Sequence, residues 1–308
     1  MEMDMPFMNI SMSPPPPKKQ RISFKQHPFG LPEPIYYYLK KNANPKLLLK
    51  LMQISKYFCF KEFPYMVVKD LKYERTKWIY CKPKYNFDYE VLDLSNLKKP
   101  LWITKGINCY TEDVSLVSSL LSKVIACDIT NLRLEDQIIT LNEFKFLISS
   151  GNVKTFTFCY SHVEYENGEI VPIDKIMKLI PNVTGFRWLL DTCMMSTFTS
   201  ETVHSLIKVF NPSILKTFCL MNIPDTFDFN LFATFMDKNP FIDYELDFDI
   251  LLPREYSKML QKYVDKKIAT SLKKPFLLKI LFPRQSEKSV KQLKSLYHFY
   301  SVRQNRMH

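Results

Sequence analysis

Residues 144–158 read FKFLISSGNVKTFTF, and three later segments lay over this one: IMKLIPNVTGFRWL at 176–189, LIKVFNPSILKTFCL at 206–220 and FATFMDKNPFIDYEL at 232–246. Each has a short apolar helix-like run, then an asparagine, then an extended run. The asparagines are Asn152, Asn182, Asn211 and Asn239, in steps of 30, 29 and 28 residues. Asparagine suits a helix exit, because it tolerates the left-handed conformation and its side chain caps turns. The pattern predicts strands near 153–158, 183–189, 214–220 and 242–248. An earlier strand over 124–134 opens the series. A helix joins each strand to the next, so the strands should lie parallel.

Recurrence at this period is similar to a leucine-rich repeat, with phenylalanine in many leucine positions. The fold class that follows is α/β: a leucine-rich-repeat-like solenoid with parallel strands and a helical C-terminal cap. An ordinary α/β domain with units of similar length is the other architecture these segments allow. Strand residues alternate between faces. Phe156 and Phe158 then point into the core. Lys154, Thr155, Thr157, Thr184, Arg187, Lys216, Thr217, Asp243 and Glu245 belong to the opposite, outward face. That mixed polar and charged set suits recognition of a protein.

Upstream, 66–68, 78–81, 91–94 and 101–104 read as short strands, rich in β-branched and aromatic residues, and 114–121 as a short helix. Trp78 and Trp102 are expected in the core.

The stretch 28–60 reads PFGLPEPIYYYLKKNANPKLLLKLMQISKYFCF. Leu31-Pro32 opens a helix, since proline is favoured in a first turn. Ile35, Tyr38 and Leu39 recur at helical spacing, and Asn42-Ala43-Asn44-Pro45 breaks it. A second helix follows from Pro45 with Leu48, Leu49, Met52, Tyr57 and Phe58 on its apolar face. This stretch resembles an F-box of the divergent nematode type, on the Leu31-Pro32 start, the Pro45-Lys46-Leu47-Leu48 entry and the Ile54-Ser55-Lys56-Tyr57-Phe58 end. It departs from the family at Asn44-Pro45-Lys46, where an acidic residue is usual, and at Tyr57 or Phe58, where tryptophan is usual. The resemblance implies that Leu31, Pro32, Ile35, Leu39, Leu48, Leu49 and Met52 pack in the groove of a Skp-type adaptor. It also implies a substrate receptor of a cullin–RING ubiquitin ligase, holding an unknown protein substrate near the ligase. A two-helix cap on a larger core is the other reading of the same residues.

From Pro253 onward fourteen basic residues face three acidic ones, a net +11 of the chain's +12. Tyr256, Met259, Leu260, Tyr263, Val264 and Ile268 have helical spacing, which leaves Lys258, Lys262, Lys266 and Lys267 on a basic outer face. Residues 276–282 read as a buried strand and 289–300 as a last helix. The basic face could take an acidic partner or RNA. No nucleic-acid motif accompanies it, so nucleic acid is disfavoured as a partner.

The organisation expected is a polar, proline-rich arm over 1–23, the F-box-like module over 24–65, the repeat-like domain over 66–252 and the basic cap over 253–308. With 46% hydrophobic residues the chain has the composition of a globular protein. Seven cysteines with no CxxC pair point to free thiols in a reducing compartment, cytoplasmic or nuclear. No run is long and apolar enough for a membrane span. Only five glycines occur, against a glycine-rich phosphate loop. Cys159, His162 and Glu164 lack a second ligand pair for a metal, and Glu245, Asp247 and Asp249 lack a partner base. The sequence reads as a non-enzymatic interaction protein, with no cofactor or metal expected.

Overall fold

The computed structural model describes residues 32–43, 47–48, 50–51, 65–83, 88–270 and 276–307. The chain divides into two compact units, Met1–Phe63 and Pro64–His308. In the first, helix α1 spans Glu33–Asn42. Proline in its first turn and Glu33 near the positive end of the helix dipole favour the start. Ala43 turns extended and donates to the Leu39 carbonyl at 3.0 Å, as the Asn-Ala-Asn-Pro break requires.

The second unit is α/β, and its order is β1 (Met66–Glu74), β2 (Lys77–Cys81), β3 (Tyr89–Leu92), β4 (Leu101–Tyr110), α2 (Leu116–Leu121), β5 (Val124–Cys127), β6 (Asn131–Glu135), β7 (Ile138–Thr140), α3 (Leu141–Leu147), β8 (Thr155–Cys159), β9 (His162–Glu164), α4 (Ile173–Leu179), β10 (Gly185–Leu189), α5 (Thr192–Ser196), α6 (Thr202–Val209), β11 (Thr217–Ile223), α7 (Phe229–Lys238), β12 (Asp243–Phe248), α8 (Arg254–Thr270), β13 (Leu277–Leu281) and α9 (Glu287–Met307). One large sheet carries the strands in the order β13-β12-β11-β10-β8-β6-β4-β1-β2-β3, with β5 also on β4. From β1 to β13 every pairing in it is parallel; only β1–β2 and β2–β3 are antiparallel. β7 and β9 form a small parallel pair beside it.

From β6 to β13 the register holds through two inner rows and shifts only beyond Leu220, at the C-terminal end of the β11–β12 pair. Leu132, Phe156, Phe186, Phe218, Tyr244 and Leu278 are successive partners, and so are Leu134, Phe158, Trp188, Leu220, Leu246 and Ile280. All twelve are buried, so these two rows are the inner face. Phe186 stacks on Phe156 at 5.5 Å and on Phe218 at 5.3 Å, with interplanar angles of 9° and 13°. Offset aromatic stacks add to the burial of large apolar side chains. Trp102 is also buried, and its Nε1 donates to Asp128 Oδ2 at 3.1 Å. Trp78 is buried too.

Two local expectations are corrected. The strand expected over 124–134 is two strands, β5 and β6, both on β4. The chain bends between them, where Asp128 and Thr130 donate to the Ile103 and Lys105 carbonyls. The asparagines do not take the left-handed conformation at helix exits; Gly151 does, with φ 67°. Their side chains act instead: Asn239 Nδ2 donates to the Phe235 carbonyl at 2.8 Å, and Asn182 Nδ2 to the Gly151 carbonyl at 3.2 Å. The β1–β2 hairpin turns on Arg75 and Thr76, both at positive φ, where glycine or asparagine is the usual signal.

Candidate functional site

Because side chains alternate along a strand, the face opposite the aromatic core is set by the same register. Its middle row is Arg133, Thr157, Arg187, Cys219, Glu245 and Lys279. The row toward the strand starts is Asn131, Thr155, Gly185, Thr217 and Asp243. Thr155, Thr157, Gly185, Arg187, Thr217, Cys219, Asp243, Glu245 and Lys279 line a concavity of about 200 Å³. Gly185 keeps its floor low: a Cβ there would meet Thr217 Oγ1 at 3.1 Å. The strand entries are tied by hydroxyls. Thr130 Oγ1 donates to the Lys105 carbonyl and Thr184 Oγ1 to the Lys154 carbonyl, each at 3.1 Å.

Charge on this face is paired across strands. Arg187 Nη2 donates to Glu245 Oε2 at 2.6 Å. Asp243 Oδ2 accepts from the Tyr297 hydroxyl of α9 at 2.7 Å, and Lys279 Nζ lies 4.3 Å from the centre of the Tyr297 ring. Burial and then Glu245 push the Cys219 thiol up to about 12, which makes it a poor nucleophile. Asp247 is different. Its side chain has no hydrogen bond or ion pair among the described residues, and burial followed by Glu245 raises its carboxyl above the usual range.

A second cluster lies past the C-terminal ends of β8 and β10. His162 is buried, with Nδ1 2.6 Å from Asp191 Oδ2 and Nε2 3.1 Å from Glu164 Oε1. The Asp191 bond, against burial, raises the imidazole above its ordinary value. Asp191 also caps α5 by accepting from Met194 N at 2.5 Å. The neighbouring Ser161 hydroxyl accepts from Gln137 N and donates to the Cys159 carbonyl. Both ring nitrogens and the hydroxyl are thus committed to the fold, the geometry of a clamp. Among the described residues no group of His, Cys, Asp and Glu is arranged to hold a metal ion.

The residues expected to contact an adaptor separate in the structure. Leu31, Leu49 and Met52 lie outside the described residues, as do Tyr57 and Phe58. Ile35 is 48% exposed, Pro32 and Leu39 are half-buried, and Leu48 is 3% exposed. The basic face also divides. Lys258, Lys262 and Lys266 are exposed on α8, with Lys258 paired to Glu255 at 2.7 Å. Lys267 leaves that face: it is mostly buried, paired with Asp237, and lies 5.5 Å and 5.6 Å from the Tyr263 and Phe276 rings. The sequence reading missed Asp191 and Gln137, for neither lies in a motif.

No helix among the described residues is long and apolar enough to cross a membrane. No family model and no curated protein matches the chain.

Proposed function

We propose that this chain is a non-enzymatic recognition subunit, a substrate receptor that holds a protein on the outward face of its sheet and a Skp-type adaptor through its F-box-like helices. The observation that carries the reading is the outward rows themselves. Neighbouring strands present Arg133, Thr157, Arg187, Glu245 and Lys279 in one line, over a concavity with mixed charge. Strands in sequence order with constant register are what a leucine-rich-repeat-like array supplies. Such a face contributes no chemistry; it raises the concentration of the bound protein near a second bound partner.

The adaptor half of the proposal draws support from α1. Ile35, Tyr37 and Tyr38 are 48%, 66% and 64% exposed, an apolar set open to a partner, while Leu48 of the expected adaptor set is 3% exposed. The test is affinity of the full chain for a Skp-type adaptor, alongside a known F-box protein. Binding that is lost on Ile35→Asp and on Leu31→Ala with Pro32→Ala supports the receptor. No binding by the full chain, under conditions where the control binds, removes it.

A further inference from the structure

Exposed apolar side chains and an unpaired carboxylate lie within a few residues of one another where β12 ends. The chain leaves the sheet at Phe248 and turns through Asp249, Ile250 and Leu251 before Leu252 returns to the core. Ile250 and Leu251 are 82% and 84% exposed. Their turn is fixed by hydrogen bonds. Asp249 Oδ1 accepts from Leu251 N at 2.8 Å, Leu252 N donates to the Asp249 carbonyl at 3.2 Å, and Arg284 Nη1 donates to the Leu252 carbonyl at 2.9 Å. Two aliphatic side chains are therefore presented to water on an ordered backbone. Leu281, 50% exposed, is the register partner of Asp247 on the next strand.

Asp247 supplies the charge. It sits two residues beyond Glu245 on the outward face, half-buried and unpaired among the described residues. The nearby cations are directed elsewhere: Arg187 to Glu245, Lys279 to the Tyr297 ring and Arg284 to the Leu252 carbonyl. A carboxylate partly withdrawn from water without a partner is a costly arrangement that a bound cation relieves. Asp247, Asp249 and Glu245 together repel phosphates, so nucleic acid and anionic lipid are the wrong sign.

We propose that this rim, formed by Asp247, Ile250, Leu251 and Leu281, docks a segment of a partner protein that carries a lysine or arginine beside a bulky aliphatic residue. The proposal rests on the sheet face being a protein-recognition surface and adds where and what it recognises. The cation meets Asp247 while the aliphatic group covers Leu251 and Leu281, which together give both sign and shape selectivity.

The test is selection of a random peptide library displayed on phage against the full chain, with enriched peptides synthesised and titrated by fluorescence anisotropy. The expected peptides share a basic residue next to Leu, Ile or Met. Asp247→Asn and Leu251→Ser should each weaken them by about 10-fold, and Lys262→Glu should not. Asp247→Asn should melt at or above the wild-type temperature, because it removes an unpaired carboxylate, so its lost binding is not lost folding. Peptides that lack a basic residue, affinities unmoved by Asp247→Asn, or a selection that enriches nothing overturn the proposal. Peptides that instead lose affinity with Arg187→Ala place recognition in the central concavity, which keeps the recognition face and removes the rim site. Adaptor affinity, measured separately, decides the receptor reading whichever way the peptides fall.

Discussion

Arg187 on β10 reaches across β11 to Glu245 on β12, and Cys219 is the residue at the register position between them. The ion pair roofs a buried thiol that burial and Glu245 already hold up to about 12. The pair itself is partly exposed and is worth at most about 1 kcal/mol. Arg187→Ala should therefore leave the melting temperature nearly unchanged. It should uncover Cys219, and peptide-resolved iodoacetamide labelling at Cys219 should rise several-fold while that of exposed Cys193 stays constant. Equal labelling of Cys219 in both proteins would show that the strand neighbours alone shield it.

His162 links β9 to the cap of α5, and its stability contribution follows pH with a definite sign. The imidazole is raised by its bond to Asp191. A group whose folded value is raised contributes fully below its unfolded value, about 6.5, and its contribution fades as pH climbs through the folded value. His162→Gln should cost about 3 kcal/mol near pH ~6, as expected for breaking a buried charge pair. The loss should shrink toward pH ~9. Melting curves of both proteins across this range check it; a pH-independent difference would contradict a protonated clamp.

Gln137 is fully buried and hydrogen-bonded on both side-chain polar atoms. Its Nε2 donates to the carbonyls of Asp113 and Asp136 at 2.8 and 2.9 Å, Oε1 accepts from Val117 N at 3.1 Å, and its own N–H donates to Ser161 Oγ at 2.9 Å. Gln137→Ala strands the Val117 N–H and the Asp136 carbonyl, while the Asp113 carbonyl keeps Leu116 N, and each buried unpaired group costs about 1–3 kcal/mol. A total near ~3 kcal/mol should appear as a lower urea midpoint with an unchanged slope. Gln137→Glu should lose a similar amount, because a carboxylate cannot donate to two carbonyls.

Phe186 is the central ring of the Phe156–Phe186–Phe218 stack. Phe186→Ala should destabilise by about 3–5 kcal/mol through lost contacts and a cavity. Phe186→Leu should lose less, since it keeps most of the apolar bulk. Equilibrium unfolding separates the two; a loss under ~1 kcal/mol for alanine would mean that the core collapses around the site.

Lys267 and its neighbours on α8 should part company. Lys267→Ala removes the partner of Asp237 and the cation beside two rings, and the melting temperature should fall. Lys262→Ala and Lys266→Ala should stay within about 0.5 kcal/mol of wild type, as exposed substitutions usually do. A fall in all three would mean that the lysines act together.

The sequence by itself determined the period of the helix–strand units, the parallel strands and the inward set led by Phe156 and Phe158. Those features are carried by neighbours a few residues apart, where alternation and helical spacing leave a direct imprint. It placed Arg187, Thr217, Asp243 and Glu245 on the outward face for the same reason. It missed the bend between β5 and β6, because Asp128-Ile129-Thr130-Asn131 holds no glycine or proline and the corner is imposed by backbone bonds to β4. It missed the Arg75-Thr76 turn, whose positive φ values no glycine announces. Only the tertiary structure decided who meets whom. Glu245 lies 58 residues from Arg187, and Asp191 lies 29 from His162, distances over which no local pattern operates. Stacking the strands in register closes those gaps to hydrogen-bond length. The same register leaves the Asp247 carboxylate without a partner among the described residues, because Lys279 on the neighbouring strand is directed to the Tyr297 ring and Arg187, two strands away, is held by Glu245.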